Sequence, residues 1–385
     1  MSGANLQPGL HRPSTPAAIV RAWAPVLGCL VLAIVMQLVV GPLLVRMGQD
    51  FAAKLLLDIG TNAILAVSLT MVNGFTGQFS IGHAAFMAVG GYVAAGITYY
   101  GSYRLFGSPD LAAGMLSTST GAGSGLFTKG DGLFLGSIFA GGLVAAGCGY
   151  LVGLPSLRLK GDYLAIVTLG FGEIVRVLIQ TQTTDTLYDP DTIAQTPAWE
   201  LPKYLGGALG FSGLPSYTSL FWAWLFAALT ILVAYRIKAS TYGRAFLSIR
   251  EDEIASEAMG VDTTRYKVRA FTISAFFAGC AGALFAHTVG VQLNAGELGF
   301  AKSFDIIIMV VLGGMGSISG AFFAAIILTI LPELLRNVAE YRMVAYATAL
   351  ILMMLVRPEG LLGVREIWEK RTWRAIARIG RRGTP

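Results

Sequence analysis

APVLGCLVLAIVMQLVVGPLLV, residues 24–45, runs for 22 positions without Asp, Glu, Lys or Arg. At about 1.5 Å per residue, a helix of that length crosses the roughly 30 Å hydrocarbon core of a bilayer. The run is longer than a signal-peptide core and no A-x-A cleavage pattern follows it, so it reads as a retained membrane helix. Four more windows, 81–100, 133–154, 217–235 and 270–291, meet the same standard. Five weaker ones, 55–74, 163–181, 303–316, 317–335 and 342–356, contain a charge or run short. The expected fold is an all-α, polytopic transmembrane helical bundle of about ten helices, with eight as the lower bound.

Composition agrees. Of the 385 residues, 55% are hydrophobic and 13% charged, against roughly 25% charged in soluble domains, and the mean hydropathy is +0.65. A water-soluble chain is excluded. The 48 glycines follow no strict period and lie within apolar stretches, as helices packed closely in lipid require. Cys29, Cys148 and Cys280 sit inside apolar runs without metal spacing, so no disulfide framework or metal site is expected.

Ten spans place both termini on one side. With the amino terminus inside, inner segments hold 19 of the 28 basic residues, outer segments hold 8, and Arg176 lies within a helix. The bias predicts cytoplasmic termini. The chain then divides into a cytoplasmic segment 1–23, a membrane domain 24–356 with an inner loop 238–268, and a basic tail 357–385. In the tail, basic residues alternate with Trp368, Trp373, Ile376 and Ile379, the composition of a helix lying on an anionic leaflet. Nucleic-acid binding needs a folded soluble module, and none is present. The outer loop 182–216 is acidic, carrying Asp185, Asp189, Asp191 and Glu200 against Lys203. It is either a solvated surface or a docking site for a soluble partner.

The inner loop GRAFLSIREDEIASEAMGVDTTRYK, residues 243–267, is the most informative polar stretch. It predicts a short helix outside the membrane. Ser248 and Glu251 have capping-box spacing, and Glu251, Asp252 and Glu253 crowd the first turn. Gly260 is the stop signal. Ile254 and Ala258 form an apolar stripe expected to face the membrane domain while the charges face a partner. An amphipathic connector and a docking element are both open on this reading.

Polar groups inside the bilayer are the next candidates, because a charge at its centre costs about 2.5–3.5 kcal/mol even on insertion scales. Glu173 and Arg176 share a helical face, either as a structural ion pair or lining a pathway. Asp58 and Asn62 share another face, and Asp305 opens the eighth span. In GFTGQFSIGHAAF, residues 74–86, Gln78, Ser80 and His83 stand among helix-loosening glycines, the pattern either of a broken helix beside a cavity or of a tight turn. Gly316 and Gly320 have GxxxG spacing and are expected to pack two helices. With only His11, His83 and His287 present and no H-E-x-x-H, neither a catalytic constellation nor a metal site is expected.

IREDEIASEAMGVDTTRYKVRAFTISAFFAGCAGALFA, from Ile249, resembles the signature region of the branched-chain amino acid ABC transporter permeases. NGFTGQFSIGHAAF from Asn73, LRLKGDYLAIVTLGFGEIVR from Leu157, VLGGMGSISGAFFAA from Val311 and RPEGLLG from Arg357 agree with it. The resemblance covers roughly residues 55–363. It implies that the inner loop is the coupling element resting on a cytoplasmic ATPase, with Glu251, Asp252, Glu253, Glu257 and Gly260 transmitting ATP-driven motion and Ser248 and Arg250 beside them. It implies no cofactor in this chain, since no G-x-x-x-x-G-K-[ST] motif is present; ATP and Mg would be bound by partner ATPase subunits. The implied partners are a second homologous permease, two ATP-binding subunits, a periplasmic or lipid-tethered binding protein and membrane lipid, in a bacterial inner membrane. Leucine, isoleucine and valine are the default cargo, with urea, another amino acid or a small amide as alternatives. An ATP-independent secondary transporter is the rival mechanism. The outer loop TQTTDTLYDPDTIAQTPAWE departs from the family pattern by its length and acidity.

Overall fold

The computed structural model describes residues 15–47, 50–107, 114–117, 125–156, 162–288 and 292–335, with isolated positions up to 367. Among these residues the secondary structure is helical, with a single isolated bridge, Phe211 to Leu293, as the only β pairing. Helices fill nine of the ten windows. The tenth, 342–356, falls mostly outside the described residues.

Helix α1 (Thr15–Val35) passes through a π-helical turn, Met36–Val40, into α2 (Gly41–Arg46). The cause is Pro42, which has no N–H to give the preceding turn; the ladder widens and Gly41 donates to the carbonyl of Met36 instead. This unit turns Leu27, Val31 and Val39 outward, more than half exposed, as lipid-facing side chains are. Helix α3 (Asp50–Leu69), by contrast, is buried along most of its length and ends in a second π turn, Thr70–Gly74.

The centre of the bundle is made by α4 (His83–Phe106), α5 (Lys129–Ser156) and α11 (Thr263–Ala286). Lipid supplies no hydrophobic drive for helices to associate, so close backbone approach carries the packing. A methyl group on Gly282 would overlap the carbonyl of Met87, and one on Gly279 would lie 2.6 Å from the Ala145 Cβ. His287, at the end of α11, is tied internally: Nδ1–H donates to the Ala283 carbonyl at 2.7 Å, which leaves Nε2 to accept from Thr98 at 2.5 Å.

Around this core stand α6 (Asp162–Gln180), the short α7 (Pro190–Gln195) and α8 (Leu220–Ala239). Two short helices, α9 (Thr241–Glu251) and α10 (Glu253–Ala258), fill the predicted loop 238–268 before α11 begins. Helices α12 (Phe300–Gly313) and α13 (Ile318–Leu334) complete the described bundle. Six helical segments are long and apolar enough to cross a membrane, counted among the described residues. At 14 residues, α12 reaches only about 21 Å at roughly 1.5 Å per residue. It follows an irregular stretch, 292–299, that Tyr92 holds by donating from its hydroxyl to the Leu293 carbonyl at 2.9 Å.

The expected Gly316–Gly320 helix-packing pair does not form as such. Gly316 lies in the turn before α13 at φ +100°, and Gly320 packs instead against Gly313. Ser317 interrupts the spacing by capping α13, its hydroxyl accepting from the Gly320 amide at 3.0 Å.

Of the basic tail, only Glu366 and Ile367 among residues 364–385 are described, so the amphipathic helix expected there lies outside the described residues. Glu366 is buried and accepts from the amides of Ile318 (2.9 Å) and Ser319 (3.0 Å) at the start of α13. It also pairs with Lys238 at the end of α8, 2.6 Å away. A carboxylate suits that position, where unpaired amides and the helix dipole converge.

Candidate functional site

The candidate residues fall in three places. The first is the α9–α10 elbow. Asp252 breaks the two helices apart: its extended backbone ends α9, and its carboxylate accepts from the Ala255 amide at 3.0 Å to start α10. Ser248 was expected to be the cap. Its hydroxyl instead turns back to the Ala245 carbonyl inside α9, since a carboxylate in extended backbone is already placed to cap. Gly260, at φ +86°, closes α10 as expected: its amide reaches the Glu257 carbonyl at 2.9 Å and that of Val261 reaches Ser256 at 3.0 Å.

The polarity of α10 is the reverse of the expected one. Ile254 is 71% and Met259 84% exposed, and Ala258 is exposed beside them. Glu253 turns inward to pair with Lys267 at 2.6 Å, and Glu257, itself exposed, accepts from the Thr263 hydroxyl at 2.6 Å. Lys267 is 2% exposed, and a buried ammonium requires a partner, so α10 rotates Glu253 towards α11 and its apolar side chains outward. Glu251, Asp252 and Glu257 remain exposed.

Arg250, at the end of α9, connects this elbow to the bundle. Its guanidinium donates to the carbonyls of Gly74 (2.9 Å) and Met315 (3.4 Å). These two backbones touch each other: a methyl on Gly74 would lie 2.6 Å from the Gly316 amide nitrogen. One side chain therefore spans the ends of α3 and α12 where they are irregular.

The second place is the segment 75–82 between α3 and α4, which is not helical. Ser80 donates its amide to Asn73 Oδ1 at 3.2 Å, and Ile81 to the Thr168 hydroxyl at 3.1 Å. His83 is buried with its Nε2 2.8 Å from the Ser68 hydroxyl. Gln78 Oε1 and Ser80 Oγ are buried without a hydrogen-bond partner among the described residues. Gln78, Ser80 and His83 thus belong to a broken-helix segment, and His83 is held as a hydrogen-bonded group within it.

Glu173 and Arg176 form the expected ion pair on α6, 2.7 Å apart, and Arg176 donates onward to Gln180 at 2.9 Å. The Arg176 side chain lies against Gly299, just before α12. The pair braces the irregular stretch 292–299.

The third place is a cavity of about 370 Å³ between α3, α11, α12 and α13. Asp58, Thr61 and Asn62 line it from α3, Lys302 and Asp305 from α12, and Thr329 from α13. Lys302 donates to Asn62 Oδ1 at 3.2 Å, and Asn62 donates to the Thr329 hydroxyl at 3.0 Å. Asp58 lies roughly 12 Å along α3 from its first residue, at about 1.5 Å per residue. Sequence reading found Asp58, Asn62 and Asp305 but passed over Lys302, counted among the outer loop charges. Its signal is the shortness of the α12 window, which leaves the lysine inside the bundle.

Among the described residues, no group of three or more His, Cys, Asp or Glu is arranged to hold a metal ion.

The chain matches, over residues 51–357, the family model described as branched-chain amino acid transport system / permease component. It is 36% identical over 348 residues to the high-affinity branched-chain amino acid transport system permease protein LivM of Salmonella typhimurium, covering 86% of this chain and 74% of that one. LivM of Escherichia coli K12 is 38% identical over 315 residues, 78% of this chain and 67% of that one. The corresponding protein LivH of the same organism is 27% identical over 310 residues, 80% of this chain and 92% of its own length. No solved structure matches the chain. With the family model spanning most of its length and its helices apolar enough to cross a bilayer, the chain is a multi-pass membrane protein that belongs to the branched-chain amino acid transport system permease component family.

Proposed function

We infer that the chain is a permease subunit of an ATP-binding-cassette importer that carries leucine, isoleucine and valine across the bacterial inner membrane. Both termini and the α9–α10 elbow face the cytoplasm, in keeping with the basic-residue bias. A second, homologous permease completes the membrane unit; the relatives named LivM and LivH support such a pair. Two cytoplasmic ATPase subunits bind ATP and Mg, and a binding protein delivers solute at the outer face.

The observation that carries this reading is the elbow. It presents Ile254 and Met259 to the outside while Arg250 grips the ends of α3 and α12 from within. An apolar projection on a surface otherwise rich in charge fits a hydrophobic pocket on a partner, as interface anchors do. Motion of a docked ATPase then passes through Arg250 to two irregular helix ends. Among the candidate residues, Glu253 and Glu257 hold the elbow's shape, and Asp252 and Gly260 set where α10 begins and ends.

The test is co-expression with the neighbouring transport genes, purification, and leucine uptake with ATP hydrolysis in proteoliposomes, comparing wild type with Ile254→Asp. An ATPase and a second permease that co-purify with wild type, the ATPase alone being lost from the variant, support the reading. A lone homomer that moves solute without ATP replaces it with an ATP-independent transporter.

A further inference from the structure

Helices α1, α5 and α6 turn large apolar side chains outward, with Leu27, Leu151 and Ile166 each more than half exposed. That is a surface for lipid. The cavity between α3, α12 and α13 differs in kind. Asp305 is exposed and Asp58 and Lys302 are partly exposed at helix positions inside the bundle. Charges opened to hydrocarbon are costly, so this side of the molecule meets water or protein. Its volume, about 370 Å³, falls at the lower end of the roughly 300–1,000 Å³ typical of small-molecule sites.

The lining is divided. Asp58, Lys302 and Asp305 give charges of both signs, with Asn62 and Thr329 as a hydrogen-bonded relay between α3 and α13. Phe285, Met309, Leu328 and Pro332 make the rest apolar. Among the described residues, no ion pair within 4.0 Å joins Lys302 to either carboxylate, so the three charges act on one another across the cavity without closing into a contact pair. A pocket that keeps both signs apart beside an apolar wall has the chemistry of a solute that carries an ammonium, a carboxylate and an aliphatic chain.

We propose that this cavity is a transit subsite for the amino acid zwitterion, Lys302 receiving the carboxylate, Asp58 and Asp305 the ammonium, and the Phe285–Leu328 wall the branched side chain. The assignment rests on the amino acid import proposed above. It gives this chain a selecting role of its own, in addition to that of any protein that delivers the solute.

The complete complex in proteoliposomes tests it, with labelled leucine uptake and ATP hydrolysis stimulated by loaded binding protein measured together. The variants are Lys302→Gln, Asp305→Asn and the conservative Asp305→Glu. The expected result is uptake reduced roughly tenfold or more in the first two, as when a charged contact is lost, with hydrolysis within about twofold of wild type and uptake largely retained in Asp305→Glu. Uptake within about twofold of wild type in Lys302→Gln and Asp305→Asn overturns the subsite. So does loss of assembly in all three variants, which makes the cluster structural. A wild-type complex that hydrolyses ATP but takes up no amino acid overturns the import reading itself, and is distinguished from the other outcomes by involving no substitution.

Discussion

The Arg250 guanidinium donates to the Gly74 carbonyl at 2.9 Å, joining positions 176 residues apart in the chain. No other polar contact among the described residues links α9 to the end of α3 so directly. Arg250→Gln removes the reach and the charge while keeping an amide. Coupling free energies of about 1–3 kcal/mol correspond to roughly 5–150-fold effects, so transport is expected to fall about tenfold. ATP hydrolysis should persist without solute dependence, which simultaneous uptake and phosphate-release assays resolve. Uptake and hydrolysis that stay coupled in the variant remove Arg250 from the transmission path.

Ile254 touches little within its own chain, so Ile254→Asp should leave the fold and melting temperature unchanged. Its expected effect is weaker ATPase binding, by at least about 1–2 kcal/mol if it is an interface anchor. Size-exclusion retention of the ATPase at graded salt and concentration measures it.

Glu253→Gln acts in the opposite direction. It leaves the Lys267 ammonium buried with its carboxylate gone, a change that costs about 3–5 kcal/mol when a buried pair is broken. The variant should melt earlier in detergent, and Glu253→Gln combined with Lys267→Met should recover most of the loss. A melting temperature equal to wild type in the single variant would mean that water reaches Lys267.

Burial on its own pushes the Glu366 carboxyl up, but the Lys238 ammonium, the Ser319 hydroxyl and the amides of Ile318 and Ser319 outweigh it and hold the group below its usual range. A carboxyl depressed in the folded state stabilises above its unfolded value and loses that contribution as pH falls through the folded one. Thermal stability of wild type should therefore drop below about pH 4.3, the ordinary glutamate value, more steeply than that of Glu366→Gln. At neutral pH Glu366→Gln should be the less stable by about 1.5–3 kcal/mol, the worth of hydrogen bonds to a charged group. Parallel pH curves for the two proteins would place the clasp's strength elsewhere.

Gly282→Val tests the bundle centre. The added side chain overlaps the Met87 carbonyl, which is backbone and cannot rotate away. Overpacking costs typically about 1–3 kcal/mol, and yield of folded protein from membranes should fall accordingly. Gly147→Val on α5, where a methyl meets nothing within 4 Å, is the matched control.

The helices were legible because hydrocarbon thickness and backbone hydrogen bonding leave the chain few choices: an apolar run such as 24–45 has one fate in lipid. The Glu173–Arg176 pair was legible for a similar reason, since i,i+3 spacing fixes it locally. The orientation of α10 was not. Which side of a six-residue helix turns inward depends on Lys267, a residue whose burial is decided by α11 and not by the helix itself. The cavity was half legible, because Asp58 and Asn62 share a face in sequence, while Lys302 joins them only through a contact 240 positions away. Arg250 was picked out with its neighbours for its place in the loop, but its carbonyl partners on two other helices carry no signature in sequence.

The bridge between Phe211 and Leu293, with the Tyr92 hydroxyl behind it, makes the two stretches at 206–211 and 292–299 one unit. Epitope tags or reporter cysteines used to map which side of the membrane these stretches face would therefore disturb both at once if placed at Gly210 or Gln292. The neighbourhood of Trp199, 79% exposed on the same loop, accepts a label without prying that unit open, and is the position from which sidedness can be read without altering what is being read.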